Sequence, residues 1–145
     1  MVIYVGTRKA RQTNGVNGER RNTNVPSIGN LVAVTIDCSD PAHLAEFYKN
    51  LLGWEITYSD ENAVYLSGSG MRLGFQRVEN YTAPQWPGQD IPQQMHLDIA
   101  VENVEAARQK VIELGARSAP EQPGGDSWHV MLDPAGHPFD LTTAY

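Results

Sequence analysis

Apolar and polar residues alternate along two stretches of the chain, and each stretch is followed by a helical pattern. Residues 31–38 and residues 95–101 show the period-2 alternation that is typical of a strand with one buried face. Asp40 and Asn103 then stand at N-cap positions, and apolar residues follow at helical spacing until a glycine ends each run. The pattern predicts two strand–helix pairs.

Shorter strand-like runs separated by turn residues follow each predicted helix. The equivalent features of the two halves recur at a nearly constant spacing of about 63 residues, which indicates an internal repeat. The repeat predicts an α+β domain made of two tandem βαβββ modules, at about residues 31–78 and 95–143. The further strands are predicted at residues 54–59, 63–67, 71–78, 127–132 and 137–143.

The alternation also assigns the two faces of the predicted strands. Apolar residues such as Val32, Val34, Ile36 and Phe75 are expected to pack against the helices, so their neighbours point the other way. A surface on which polar groups converge is the default ligand site. The polar face collects Thr35, Asp37, Arg72, Gln76, His96, Asp98, Asp140 and Thr142.

His96 and Asp98 lie on one face of the same strand, and the residues alone leave three interpretations open. They are a metal site, an acid–base pair in which Asp98 orients or exchanges protons with His96, or a polar lining of a pocket. His129 is a further pocket candidate. Its direction is not fixed by the pattern, because the residues around it, Trp128 and residues 130–132, are all apolar.

Composition and charge narrow the classes of function. The chain has 145 residues and a net charge of −6, which fits one domain and argues against nucleic-acid or membrane-surface binding. Its single cysteine, Cys38, forms no internal disulfide, is expected to be buried and unreactive, and favours a cytoplasmic location. Residues 1–30 are basic and rich in Asn, Thr and Gly, and we predict that they form a tail outside the domain.

Six short motifs in a fixed order resemble the glyoxalase-like branch of the vicinal oxygen chelate superfamily, over about residues 31–143. This superfamily includes glyoxalases, extradiol dioxygenases, fosfomycin-modifying enzymes and bleomycin-resistance proteins. The resemblance implies a curved, partly closed mixed sheet with helices outside and a cavity within the curve. The motifs are residues 34–41 (VTIDCSDP), 47–48 (FY), 51–54 (LLGW), 96–99 (HLDI), 114–116 (LGA) and 133–139 (DPAGHPF).

The resemblance also implies four metal-ligand positions, at Ala33, Gln76, His96 and Asp140. Ala33 has no donor atom where histidine is usual, and Gln76 offers an amide where glutamate is usual. The implied ligands are therefore His96, Gln76 and Asp140, which suit a divalent Mn, Fe, Ni, Co or Zn ion with open coordination positions. Asp98 and Asp37 are further candidates that compensate for the missing charge, either as a ligand or as an acceptor that orients His96.

Two functions follow from the resemblance, and both involve a small organic molecule in the sheet cavity. The first is a metal-dependent lyase or isomerase, or a dioxygenase-type enzyme, in which the ion or His96 with Asp98 stabilises an enediolate or similar oxyanion. The alternative is a non-catalytic protein of the bleomycin-resistance type that sequesters a drug or metabolite. The alanine at position 33 favours the second, whereas His96 and Asp140 favour the first. A homodimer is expected in either case.

Overall fold

The structure is a computed structural model that describes residues 28–144. It contains ten elements, arranged as two modules with the same order of strands and helices. The predicted tail lies, up to residue 27, outside the described residues. No helix in the described part of the chain is long and apolar enough to cross a membrane.

The first module is a four-stranded sheet with one helix packed against it. Its strands lie in the order β1-β4-β3-β2, and β1 is parallel to β4. The helix begins where the sequence predicts, because the Asp40 carboxylate accepts a hydrogen bond from the backbone N–H of His43 at 3.1 Å. It ends at Gly53, whose φ of 66° is the left-handed conformation that glycine adopts without strain. The elements are β1 (Ala33–Cys38), α1 (Pro41–Leu52), β2 (Glu55–Ser59), β3 (Ala63–Gly68) and β4 (Met71–Arg77).

The second module repeats this arrangement. Its strands lie in the order β5-β8-β7-β6, β5 is parallel to β8, and Asn103 caps the helix by accepting from the N–H of Ala106 at 2.8 Å. The predicted α+β fold with two tandem modules is therefore confirmed. The elements are β5 (Leu97–Ala100), α2 (Val104–Glu113), β6 (Arg117–Ser118), β7 (Trp128–Leu132) and β8 (Pro138–Thr142).

Two details differ from the sequence expectation. Val32 was expected to be buried, but it is 60% exposed and precedes β1, because the ladder with β4 begins at the pairing of Ala33 with Arg72. The strand β6 was not predicted. It has only two residues, Arg117 and Ser118, which are too few to show a period.

One hydrophobic core joins the two modules. The ring of Tyr48 on α1 stacks on Phe75 of the first sheet with centroids 5.3 Å apart, and Phe47 beside it makes an edge contact with Phe139 of the second sheet. All four rings are buried. The helix α1 therefore packs against both sheets, and this leaves their polar faces on the other side.

A buried polar contact reinforces this junction. The hydroxyl group of Tyr48 donates a hydrogen bond to the carboxylate of Asp133 at 2.8 Å, and the backbone N–H groups of Ala135 and His137 donate to the same carboxylate. Burial raises the pKa of Asp133, while its hydrogen bonds and His137 oppose that rise. The turn before β8 is thus fixed to α1 of the other module.

Candidate functional site

His96, Asp98 and Asp140 converge on the polar face of the second sheet. Asp98 and Asp140 are direct neighbours on the parallel strands β5 and β8. His96 lies two residues before Asp98, just outside β5, and its ring turns towards both carboxylates. One potential ligand atom from each residue lies within 4.8 Å of the other two. We call these three residues the His–Asp–Asp group.

The three side chains face one another without a direct hydrogen bond. The Nε2 atom of His96 lies 3.9 Å from Oδ1 of Asp98 and 3.7 Å from Oδ2 of Asp140, which is beyond hydrogen-bond distance. The side chains are 25%, 10% and 13% exposed for His96, Asp98 and Asp140. The other oxygen of Asp98, Oδ2, is buried and has no hydrogen-bond partner in the described structure. A buried carboxylate oxygen without a partner is costly, so it is a site where a cation or a donor would bind favourably.

The electrostatics of the His–Asp–Asp group also favour a bound cation. Burial raises the pKa of Asp140 to about 6, His96 lowers it, and the nearby carboxylate of Asp98 raises it. Two carboxylates on adjacent strands therefore repel each other in a region with little water. A divalent cation between them would remove this repulsion.

The geometry and the donor types fit a divalent transition ion. Metal–ligand bonds of about 2.1 Å place neighbouring ligand atoms about 3 Å apart, so the distances of 3.7 and 3.9 Å need only small side-chain rotations. One imidazole and two carboxylates leave open positions on such an ion. The His–Asp–Asp group therefore could hold a metal, and all three residues come from the second module.

A cavity of about 450 Å³ lies next to His96, between β1 and the start of β5. One side is formed by the segment that links the two modules, residues 80–95, which we call the linker. Thr35 and Asp37, both predicted pocket residues, line this cavity together with His96. Asp98 lines a second, smaller cavity of about 170 Å³ together with Arg72 of the first module.

The remaining candidates of the first module lie on its exposed sheet surface. Gln76 on β4 pairs with Asp37 on β1 and is exposed, and it does not line the 450 Å³ cavity. Arg72 is also exposed, pairs with Ala33, and lines an open depression with Tyr65 of β3. The two ligand positions that the resemblance implies in the first module, Ala33 and Gln76, thus carry neither a histidine nor a carboxylate.

The last two candidates are placed differently from the His–Asp–Asp group. His129 pairs with Leu141 on β8, so it points to the helix side of the sheet, where its Nε2 lies 3.3 Å from the hydroxyl of Ser118. Burial and the nearby Arg108 of α2 lower the pKa of His129. Thr142 is buried, and its hydroxyl donates to the carbonyl of Ser127 at 3.1 Å. The structure does not bring His129 to the group.

Three features of the site gave no usable signal in the sequence. The linker residue Gln93 lines the cavity, and its buried side-chain oxygen has no hydrogen-bond partner among the described residues. Tyr81 of the linker lies 3.0 Å from Nε2 of His137, and that nitrogen lies 2.6 Å from the carbonyl oxygen of Asp37. A carbonyl only accepts, so Nε2 of His137 carries the hydrogen in this contact. A Pro- and Gln-rich segment has no period from which such contacts could be inferred.

Comparison with known proteins agrees with this architecture. The profile of a family described as a glyoxalase-like domain matches residues 33–142. No curated protein matches the chain.

Several solved structures share the fold. A variant of the fosfomycin resistance protein FosX from Listeria monocytogenes, complexed with Mn(II) and dihydroxypropylphosphonic acid, is 17% identical. It has a TM-score of 0.63 and covers 82% of this chain and 95% of its own. A glyoxalase family protein from Enterococcus faecalis is 19% identical with a TM-score of 0.60, over 79% of this chain and 98% of its own. A glyoxalase-related enzyme from Fulvimarina pelagi is 18% identical with a TM-score of 0.59, over 78% of this chain and 86% of its own.

Paired βαβββ modules are the architecture of the vicinal oxygen chelate superfamily, and the profile match over residues 33–142 supports membership of this chain. Within that superfamily, the chain belongs to the family of glyoxalase-like domains.

Proposed function

We propose that this protein binds one divalent transition-metal ion through His96, Asp98 and Asp140 and binds a small organic molecule in the adjacent cavity. The observation that carries the proposal is the convergence of these three side chains, with one carboxylate oxygen of Asp98 buried and without a partner. The Mn(II) in the Listeria structure supports a metal in a protein of this fold.

This ligand set differs from the one that the resemblance implies. Ala33 has no donor, and Gln76 offers only a neutral amide at an exposed position. Asp98 provides a second negative charge beside Asp140, which compensates for both changes within one module. Gln76 therefore has no necessary part in the proposed site.

As an enzyme, the protein would carry out a lyase, isomerase or dioxygenase-type reaction. A bound ion would act as a Lewis acid that stabilises negative charge on a substrate oxygen. Asp98 and Asp140 would fix the ion, and the largely buried site would limit access of water. His96 belongs to the His–Asp–Asp group and also lines the cavity, so its ring would orient the molecule bound there.

A non-catalytic binding protein is the second candidate function. Among the residues that the structure describes, the His and carboxylate side chains that could hold a metal all lie in the second module, and the open face of the first sheet offers a polar depression without such a group. In this case the protein would hold a drug or metabolite and release it unchanged. Mass spectrometry of a molecule recovered after incubation distinguishes the two candidates, because an enzyme alters it and a sequestering protein does not.

Titration calorimetry with Mn(II) tests the metal proposal on protein treated with a chelator. We expect about one ion per chain, and an affinity at least about tenfold lower for each of Asp98→Asn, Asp140→Asn and His96→Gln. Asp37→Asn is the matched control, since Asp37 is a carboxylate that lines the same cavity outside the group. An equal loss in Asp37→Asn, or no saturable binding by the unaltered protein, would refute the proposal.

The homodimer and the cytoplasmic location stay predictions from the sequence. Light scattering on the full chain measures its mass directly, and we expect twice the 16.0 kDa of one chain. A mass of one chain at all concentrations contradicts the dimer.

A further inference from the structure

The residues that line the cavity beside His96 restrict the charge and polarity of the molecules that it can bind. It lies along the edge of β1 and is covered by the linker, so residues from both modules and from the linker meet in it. A volume of about 450 Å³ is within the range of pockets that enclose drug-sized molecules.

The lining has no permanently charged cation, because its basic side chains are the imidazoles of His96 and His137. Among the residues that line the cavity there is no Lys and no Arg, and the one carboxylate is Asp37. The Nε2–H of His137 is directed at the carbonyl oxygen of Asp37. In the metal-free protein, a ligand that carries a carboxylate or a phosphonate would therefore lose its hydration in this cavity without gaining a permanently charged partner.

Most of the wall is apolar. Ile36 on β1, Ile91 in the linker and Leu97 on β5 line the cavity from three directions, and each is partly buried. Burying apolar ligand surface against such walls is favourable at roughly 25 cal/mol per Å². The cavity thus favours a molecule whose body is a hydrocarbon or an aromatic ring.

One buried polar atom in the cavity wall has no hydrogen-bond partner among the described residues. The side-chain oxygen of Gln93 is buried and accepts no hydrogen bond within the described residues. An unsatisfied buried acceptor costs free energy that a ligand N–H or O–H group would recover. Gln93 therefore selects for a donor on the ligand.

We propose that this cavity binds an uncharged, largely apolar organic molecule that donates a hydrogen bond to the side chain of Gln93. The inference rests on the proposed function, because it names the class of molecule that would bind beside the metal group. Its contacts with Ile36, Ile91 and Gln93 do not involve the metal ligands, so it is testable on metal-free protein.

Three probes with the same aromatic body test separately whether the ligand must be uncharged and whether it must donate a hydrogen bond. Biphenylcarboxamide is uncharged and has a donor, its methyl ester analogue has no donor, and biphenylcarboxylate is an anion. On chelator-treated protein at about pH 8, where carboxylates are ionised, calorimetry should show that the carboxamide binds at least about tenfold more tightly than the carboxylate. Equal or tighter binding of the carboxylate, or no binding of the carboxamide, overturns the proposal.

The variant Gln93→Leu tests the donor requirement. It should weaken binding of the carboxamide about tenfold, as loss of one hydrogen bond predicts, and leave binding of the methyl ester unchanged. The ester serves as the internal check that the variant is folded. Gln85→Leu is the matched control, because Gln85 is an exposed linker residue outside the cavity lining. An unchanged carboxamide affinity in Gln93→Leu contradicts the proposal.

A third variant locates the site. Ile91→Trp fills the cavity from the linker side, so it should abolish binding of both uncharged probes. If it leaves their affinities unchanged, the probes bind elsewhere and the inference is wrong. Mn(II) titration of the same variant reports separately on the metal proposal, since Ile91 is not a member of the His–Asp–Asp group.

Discussion

Asp140 is a carboxylic acid held largely out of water beside a second carboxylate. Its side chain is 13% exposed, and burial raises its pKa to about 6. In the unfolded chain the pKa of an aspartate is about 3.9. The folded metal-free protein therefore binds this proton more tightly than the unfolded chain does, so the group makes the protein less stable as the pH rises from about 4 to about 6.

We predict that Asp140→Asn makes the metal-free protein more stable at neutral pH, by about 1–3 kcal/mol, because the amide carries no charge to desolvate. The stability difference between variant and parent should shrink as the pH falls from about 6 to about 4, and it should be smallest below about 4. Urea unfolding at several pH values measures it. Asp126→Asn is a control at an exposed position, and a pH-independent effect of Asp140→Asn contradicts the prediction.

The alternation of single residues predicts part of the site. His96, Asp98 and Asp140 were assigned to the polar face because each stands between apolar neighbours, and the structure brings these three together. His129 had no such contrast, since the residues around it are all apolar, and its direction became visible only from its pairing with Leu141. The unsatisfied side chain of Gln93 depends on how the linker folds over the cavity, which no local pattern encodes.

At the scale of elements, the caps are the features that most directly connect sequence to structure. Asp40 satisfies a free backbone N–H at the start of α1, and Pro41 follows it at the first helical position. The boundaries of α1 and α2 therefore agree with the sequence expectation, whereas those of β1 and β5 are shorter because strand ends depend on a partner. Helix ends are local, and strand ends are not.

We predict that Asp40→Ala destabilises the protein by about 1 kcal/mol, because the N–H of His43 loses its acceptor at the start of α1. Denaturant unfolding measures the change, and Asp40→Asn should restore most of the stability since the amide oxygen also accepts. Asp90→Ala, at an exposed linker position, should have an effect of less than about 0.5 kcal/mol. Equal effects of Asp40→Ala and Asp90→Ala would show that the cap is not stabilising.

At the scale of the whole molecule, the two modules share one core and one polar junction. The repeat in the sequence predicted the modules, but the way they pack was not predictable from it. Tyr48 and Asp133 are 85 positions apart, and their pairing follows from the docking of α1 against the turn before β8. That docking also leaves the space between β1 and β5 in which the cavity lies.

We predict that Tyr48→Phe lowers the free energy of unfolding by about 1.5–3 kcal/mol, because the buried carboxyl of Asp133 loses a hydrogen bond while the ring contacts remain. Urea unfolding at neutral pH measures the loss. Tyr65→Phe is the matched control, because its ring is retained and its hydroxyl makes no hydrogen bond within the described residues. A loss of similar size in the control would mean that the junction contributes little.

The central claim is that His96, Asp98 and Asp140 hold one ion. A crystal soaked in Mn(II), with anomalous scattering recorded near the manganese edge, tests it most directly. The account predicts one peak per chain, about 2.0–2.3 Å from a nitrogen of His96 and from an oxygen of each carboxylate. A peak bound to other residues, or no peak at a concentration that saturates the protein in solution, would contradict it.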